Sequence, residues 1–250
     1  GVRVLGDEID PTMAAIANAN LALHGVADRV RRCDSLRNTG EEADFVLANP
    51  PFGARIGDDR ELDFKVSSRK SELLFLELIA RRLRPGGIAA VVIPVGVLSN
   101  SDKGSHSTRS MLMHEGEVLA VLELPGGVFR PYTDVKTAII FWRKGVPTQN
   151  VRMFKALSDG FSLDDKRRPI EQNDLDRLEK QVQATLIGLE FECEAVNVDR
   201  AEIDRNDLVL LPSRYISEVF ERAGSRELDE LVEEMIAELE ATIRDLREVV

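Results

Sequence analysis

Asn49-Pro50-Pro51-Phe52 follows the apolar run Phe45-Val46-Leu47-Ala48 directly, and its residue types suit one kind of chemistry. An amino group attached to a heteroaromatic ring is a poor nucleophile, because its lone pair is delocalised into the ring. Two acceptors aimed at its hydrogens favour a more tetrahedral nitrogen and help free that pair. The Asn49 side-chain oxygen and the Pro50 main-chain oxygen can supply them. Proline fixes φ, so the acceptors are held in place before a substrate arrives. Phe52 offers a face on which a planar ring can stack. The plainer alternative is a Pro-rich turn closing a strand, since Asn-Pro favours turns.

The elements that must position these residues read as α/β. Over the first 145 residues, short β-rich runs alternate with helical stretches. Residues 2–5 read as a strand ending at Gly6-Asp7-Glu8. Residues 12–24 read as a helix that Asp10 caps, Pro11 begins and Gly25 stops. A second strand covers 29–33 and ends at Asp34; a third covers 43–48 and ends at Asn49. Residues 72–83 form a helix closed by Arg84-Pro85-Gly86-Gly87. Residues 88–93 are apolar on both faces, as a central parallel strand requires. Residues 118–124 and 137–142 are further strands, the last expected to be antiparallel. Glu8, Asp34 and Asn49 thus fall at carboxyl ends of strands, where open α/β sheets bind ligands.

After Val146 the character changes. Residues 150–155 fit one more strand, 158–173 a charged loop containing Lys166-Arg167-Arg168, and 175–187 a helix, while 188–214 carry no clear pattern. Leu228, Val232, Met235, Leu239, Thr242, Leu246 and Val249 alternate steps of four and three, a heptad seam. It suits either a helix packed on its own domain or one that binds a partner.

Composition bounds the reading. The chain is 43% apolar and 31% charged, as an ordinary globular protein is. No run approaches the roughly 18 apolar residues of a membrane span, and residues 1–6 show no signal peptide. Cys33 and Cys193 lie too far apart for a ligand motif and read as reduced thiols in a cytoplasm. His24, His106 and His114 show no metal spacing, so no metal is expected. The net charge of −11 is the wrong sign for gripping nucleic acid alone. Residues 226–250 hold nine acidic and three basic side chains of that excess.

Asn49-Pro50-Pro51-Phe52 resembles the motif of amino-methyltransferases, in which Asp, Asn or Ser precedes Pro-Pro and an aromatic residue. The family resembled is that of adenine-specific DNA methyltransferases. The resemblance implies a Rossmann-like sheet and S-adenosylmethionine as cofactor. Gly6-Asp7-Glu8-Ile9-Asp10-Pro11 looks like the segment after the family's second strand, which gives Glu8 the ribose hydroxyls. Asp34-Ser35-Leu36 looks like the next strand end, which puts Asp34 and Ser35 at the cofactor's adenine. Asn49 to Phe52 would then act on the amino group of a flipped adenine. Residues 127–137 resemble a later segment whose aromatic residue, best matched by Phe129, helps Phe52 hold the base; Phe129 as plain core is the alternative. Arg55 and Lys65 lie where they could meet phosphate or simply face solvent.

Three stretches narrow the branch. Residues 20–25, 159–169 and 211–215 resemble the modification subunit of type I restriction–modification systems. That resemblance implies double-stranded DNA as substrate, a specificity subunit that supplies most of the DNA-gripping surface, and a restriction subunit as a further partner. One departure stands out. The family's first strand and its Asp-Pro-x-x-Gly-x-Gly-like loop have no counterpart here. Pro85-Gly86-Gly87 and Pro125-Gly126-Gly127 both follow the catalytic motif and cannot replace it. The chain therefore reads as a C-terminal piece of a longer protein, inactive by itself. Residues 1–146 would be a partial catalytic domain, 147–224 a family-specific extension and 225–250 a packing helix. Two other readings remain: an RNA or protein-glutamine amino-methyltransferase, and a non-catalytic assembly module.

Overall fold

A computed structural model describes residues 2–37, 40–57, 64–66, 68–189 and 195–216. In chain order the elements are β1 (Gly6–Glu8), α1 (Pro11–Leu23), β2 (Val30–Arg32), β3 (Ala43–Ala48), α2 (Ser71–Arg82), β4 (Leu83–Pro94), α3 (Val95–Ser99), α4 (Lys103–Glu115), β5 (Gly116–Glu123), β6 (Thr137–Lys144), β7 (Asn150–Lys155), β8 (Asp159–Phe161), β9 (Pro169–Asn173), α5 (Leu175–Leu186), β10 (Val196–Asp199) and α6 (Arg200–Arg205). The expected heptad seam at 228–249 lies outside the described residues.

The centre is a six-stranded sheet in the order β10-β7-β5-β6-β4-β3. β3 runs parallel to β4, and β5 to β7; β6 is antiparallel to both β4 and β5. Strands β4, β5 and β6 are apolar on both faces because both are covered. Ala89, Val91, Ile93, Val118, Val121, Ile140 and Trp142 are at most 2% exposed. On one face they pack with Leu73, Leu76 and Ile79 of α2, Leu112 and Met113 of α4, and Ile203 of α6. On the other, Ala120, Leu122 and Phe154 meet Leu178 and Val182 of α5. The chain after Val146 stays in this sheet: β7 and β10 complete it on one side.

β1 and β2 stand apart as a two-stranded parallel sheet. Arg3, just before β1, pairs with Glu41, just before β3, at 2.8 Å. The two strands therefore enter from the same end, yet they do not pair with each other. Among the described residues, no strand lies between them.

Several sequence readings need correction. The first strand is Gly6–Glu8 rather than 2–5. The helix ends at Arg82, and Leu83 to Gly87, expected to finish and close it, belong to β4 as an irregularity: the ladder jumps from Ala43↔Leu83 to Phe45↔Ile88, and Gly86 takes φ +80°. Residues 158–173 contain the β8–β9 hairpin, whose second strand is exposed throughout and so shows no alternation. Helices α3 and α4 had no counterpart in the sequence reading.

Candidate functional site

β3 ends at Ala48, opposite Val91 of β4, and the chain then leaves the sheet through Asn49-Pro50-Pro51-Phe52. Two successive prolines lack the N–H that a ladder needs, so pairing stops there. Pro50 is buried, Phe52 half-buried, and Asn49 exposed. Among the described residues, neither the Asn49 side chain nor the Pro50 carbonyl carries a hydrogen bond. Among the described residues, both acceptors singled out by the sequence are therefore unbonded.

The loop beyond them is anchored to the start of α2. Ile56 N donates to Arg69 O and Ser71 N to Ala54 O, each at 2.9 Å. Arg55 and Lys70 form an antiparallel bridge between those bonds. Ser71 Oγ donates to Pro51 O at 2.7 Å, and Gly53 N donates to Glu72 Oε2 at 3.3 Å. One turn on, Glu77 accepts from Lys65 N and Val66 N, both at 2.8 Å, and from Arg81 at 2.6 Å. Glu72 is 7% exposed and Glu77 2%. Buried carboxylates persist only where such donors meet them, and the positive end of α2 favours Glu72 further.

Phe52 stands edge-on to Phe129, with ring centroids 6.0 Å apart and planes at 75°. The two aromatic residues expected to hold a base are thus brought together. Their rings touch directly, so Phe129 supports Phe52 from the side. Next to Phe52 lies a cavity of about 510 Å³, walled also by Glu72, Pro94, Tyr132, Thr133 and Val135. That volume falls in the range of small-molecule sites, roughly 300–1,000 Å³. Pro94 ends β4, and Val135 precedes the antiparallel β6, so the cavity opens at the carboxyl end of the parallel pair β3–β4. Tyr132 is 93% exposed at its rim. Arg55 borders a second cavity together with Arg69 and Lys70. Lys65 pairs with Glu115 at 3.5 Å.

The other sequence-selected residues sit on the small sheet. Cys33 N donates to the Glu8 carbonyl at 3.1 Å, which joins the ends of β1 and β2 and brings Glu8 near Asp34 and Ser35. Glu8 Oε1 accepts from Asp10 N at 2.8 Å, and among the described residues Oε2 carries no hydrogen bond. Asp10 caps α1 through Thr12 N and Met13 N, and Pro11 opens the helix, as the sequence suggests. Asp34 accepts from Leu36 N at 3.1 Å and faces Arg37 at 3.7 Å. Asp7 points inward: its side chain is 1% exposed and bonded to Arg82 at 2.5 Å and Arg31 at 2.9 Å. Burial by itself would raise the Asp7 carboxyl, but the two guanidinium groups together with the Cys33 thiol outweigh it and hold the group below the usual carboxylate range.

Sequence reasoning missed Ser71, Glu72, Glu77 and Tyr132. A signal for the carboxylates was present: Glu72 and Glu77 sit in a run whose other members are almost all apolar. A helix apolar all round is buried, and a carboxylate in it needs a donor nearby. Tyr132 lay inside the segment singled out for Phe129.

A family model described as N-6 DNA Methylase matches residues 1–223. The type I restriction enzyme EcoEI methylase subunit of Escherichia coli is 33% identical over 178 residues; the match spans 68% of this chain and 36% of that subunit. A solved structure concerned with complex assembly and conformational transition of the type I R-M system aligns over 94% of this chain and 54% of its own, with a TM-score of 0.72 and 28% identity. The type I restriction enzyme EcoKI M protein aligns over 92% and 60%, with a TM-score of 0.71 and 22% identity. The chain thus spans about a third of the EcoEI subunit and just over half of the first of these structures. The fold is α/β, a Rossmann-like sheet of the S-adenosylmethionine-dependent methyltransferase kind. With the model matching nearly the whole sequence, the chain belongs to the N-6 DNA methylase family.

Proposed function

We propose that this chain forms the target-base half of an adenine-specific DNA methyltransferase, the modification subunit of a type I restriction–modification system. One observation carries the reading. Asn49 Oδ1 and the Pro50 carbonyl carry no hydrogen bond among the described residues, and Phe52 and Gly53, which follow in the same loop, wall a cavity at the carboxyl end of β3 and β4. An adenine swung out of the duplex stacks against Phe52, and its exocyclic amino group donates to both acceptors. Those bonds strengthen as the nitrogen becomes tetrahedral, so they act mainly in the transition state. Pro50 and Pro51 hold the acceptors still, and Phe129 holds the Phe52 ring.

The residues at the ends of β1 and β2 fit one end of S-adenosylmethionine. Glu8, with one oxygen open, suits a ribose diol, and Asp34 with Ser35 suits the adenine. When bound, the cofactor supplies an electrophilic methyl group. Its methionine end needs a close backbone approach that glycine permits; we place that loop, and a strand leading into it, between β1 and β3. Double-stranded DNA and a specificity subunit are the partners this reading requires, with a restriction subunit joining them, in the cytoplasm. Among the described residues, no helix is long and apolar enough to cross a membrane.

Nucleoside analysis tests the reading. The assembled methyltransferase is incubated with cofactor and unmethylated genomic DNA, and the DNA is digested. N6-methyladenine should accumulate. Asn49→Ala should lower turnover about 100-fold or more, with cofactor affinity nearly intact. Near-normal turnover in Asn49→Ala, or methyl groups on cytosine, would reject it.

A further inference from the structure

Among the described residues, one carboxylate walls the cavity beside Phe52: Glu72, more than nine-tenths buried. Among the described residues, its hydrogen-bond contacts all fall on Oε2: Gly53 N at 3.3 Å and Ser71 Oγ at 3.3 Å. The Ser71 hydroxyl has a single proton, and the Pro51 carbonyl at 2.7 Å takes it, since a carbonyl can only accept. Two consecutive side chains in the first turn of α2 therefore grip the backbone on either side of Phe52. Ser71 holds the carbonyl of Pro51, and Glu72 holds the amide of Gly53. Gly53 needs this grip: at φ +69° it lies in the left-handed region, and the bond to Glu72 fixes which way its N–H points.

We propose that Glu72, with Ser71, is a positioning residue for the catalytic loop, setting the Phe52 ring and the Pro50 carbonyl for the flipped base. This rests on the methyltransferase reading above and extends it to residues outside the Asn49–Phe52 motif. The consequence is specific. With Gly53 unheld, Phe52 and the carbonyls before it sample other orientations, and the amino group meets its acceptors less often in reactive geometry. DNA affinity, set largely by phosphate contacts elsewhere, changes little. What Glu72 contributes is an acceptor oxygen, not its negative charge, so an amide with the same shape should serve.

Two measurements on Glu72→Ala and Glu72→Gln test this. The first is amide hydrogen exchange of residues 51–56 in the 250-residue chain, which does not depend on any activity. Glu72→Ala should speed exchange there at least tenfold, and Glu72→Gln should stay close to the wild type. The second is methyl transfer by the assembled enzyme. In Glu72→Ala, kcat should fall at least tenfold with the DNA KM within twofold, and Glu72→Gln should restore most of the rate. In a double-mutant cycle, Asn49→Ala and Glu72→Ala should combine to less than the product of their separate effects, because they act on one step. Native exchange in Glu72→Ala would overturn the proposal. So would a Glu72→Gln enzyme as slow as Glu72→Ala, which would mean that the charge matters rather than the anchor. If the exchange pattern appears but the assembled wild type transfers no methyl group, the anchor stands and the methyltransferase reading falls.

Discussion

Helices α1 and α2 are of nearly equal length but differ in how much of each is buried. α2 buries nine of its twelve residues; α1, of thirteen, buries only Ala14. The difference extends to the strands beside them. β4, β5 and β6 are closed on both faces, whereas Phe45 and Leu47 of β3 are 75% and 86% exposed. Val2, Leu5, Ile9, Met13 and Ile16, around β1 and α1, are exposed too. Single exposed hydrophobics are ordinary, but here they gather around β1, α1 and β3, and the sheets of β1 and β3 do not pair with each other. Among the described residues, the half around α2 and β4 to β6 is closed on itself, and the half around β1, β2 and β3 leaves apolar side chains exposed.

Core truncation should break this comparison most visibly. Trp142 is 2% exposed, and its indole N–H donates to Leu112 O at 2.8 Å. Trp142→Ala should cost about 3–5 kcal/mol in denaturant unfolding of this chain. Leu47→Ser, on the open face of β3, should change it by less than about 0.5 kcal/mol. If the Leu47 variant proved as damaging as the Trp142 variant, β3 would already be covered and the two halves would not differ.

A smaller effect concerns Asp7, which ties the small sheet to α2 through Arg82. Its carboxyl is held below the unfolded value of 3.8 in the folded chain. The stabilisation is therefore fully present above that value and is lost as pH falls through the lower folded one. Comparing wild type with Asp7→Asn by denaturant unfolding, the stability gap should be steady from pH 7 down to about 5 and should shrink below 4. A gap that widened on acidification would contradict the ion pairs.

The same division governs what the sequence revealed. β3 and β7 were legible residue for residue, because short apolar runs bounded by polar or Pro-rich segments have few other uses. Asn49–Phe52 stood out because proline, amide and aromatic ring are rarely adjacent by accident, and the chain does leave the sheet there, at the end of β3. α4 was not, since it buries Gly104, Ser105 and Thr108, small and polar side chains that give no apolar stripe. The hairpin β8–β9 was hidden for a related reason: it is held by turn bonds and the buried Asp159–Arg167 pair rather than by a hydrophobic face. Ser71 and Glu72 were hidden because their partners are backbone groups about twenty positions away, which no local pattern announces.

The most direct test of the open cofactor half is isothermal titration of the 250-residue chain with S-adenosylmethionine. The proposed reading gives Glu8 and Asp34 only the ribose and adenine end of that molecule, so heat of binding should be absent or fit a dissociation constant in the millimolar range, about −4 kcal/mol. A micromolar constant, about −8 kcal/mol, would show that the site is complete without a strand and loop between β1 and β3, and would contradict the division between the two halves.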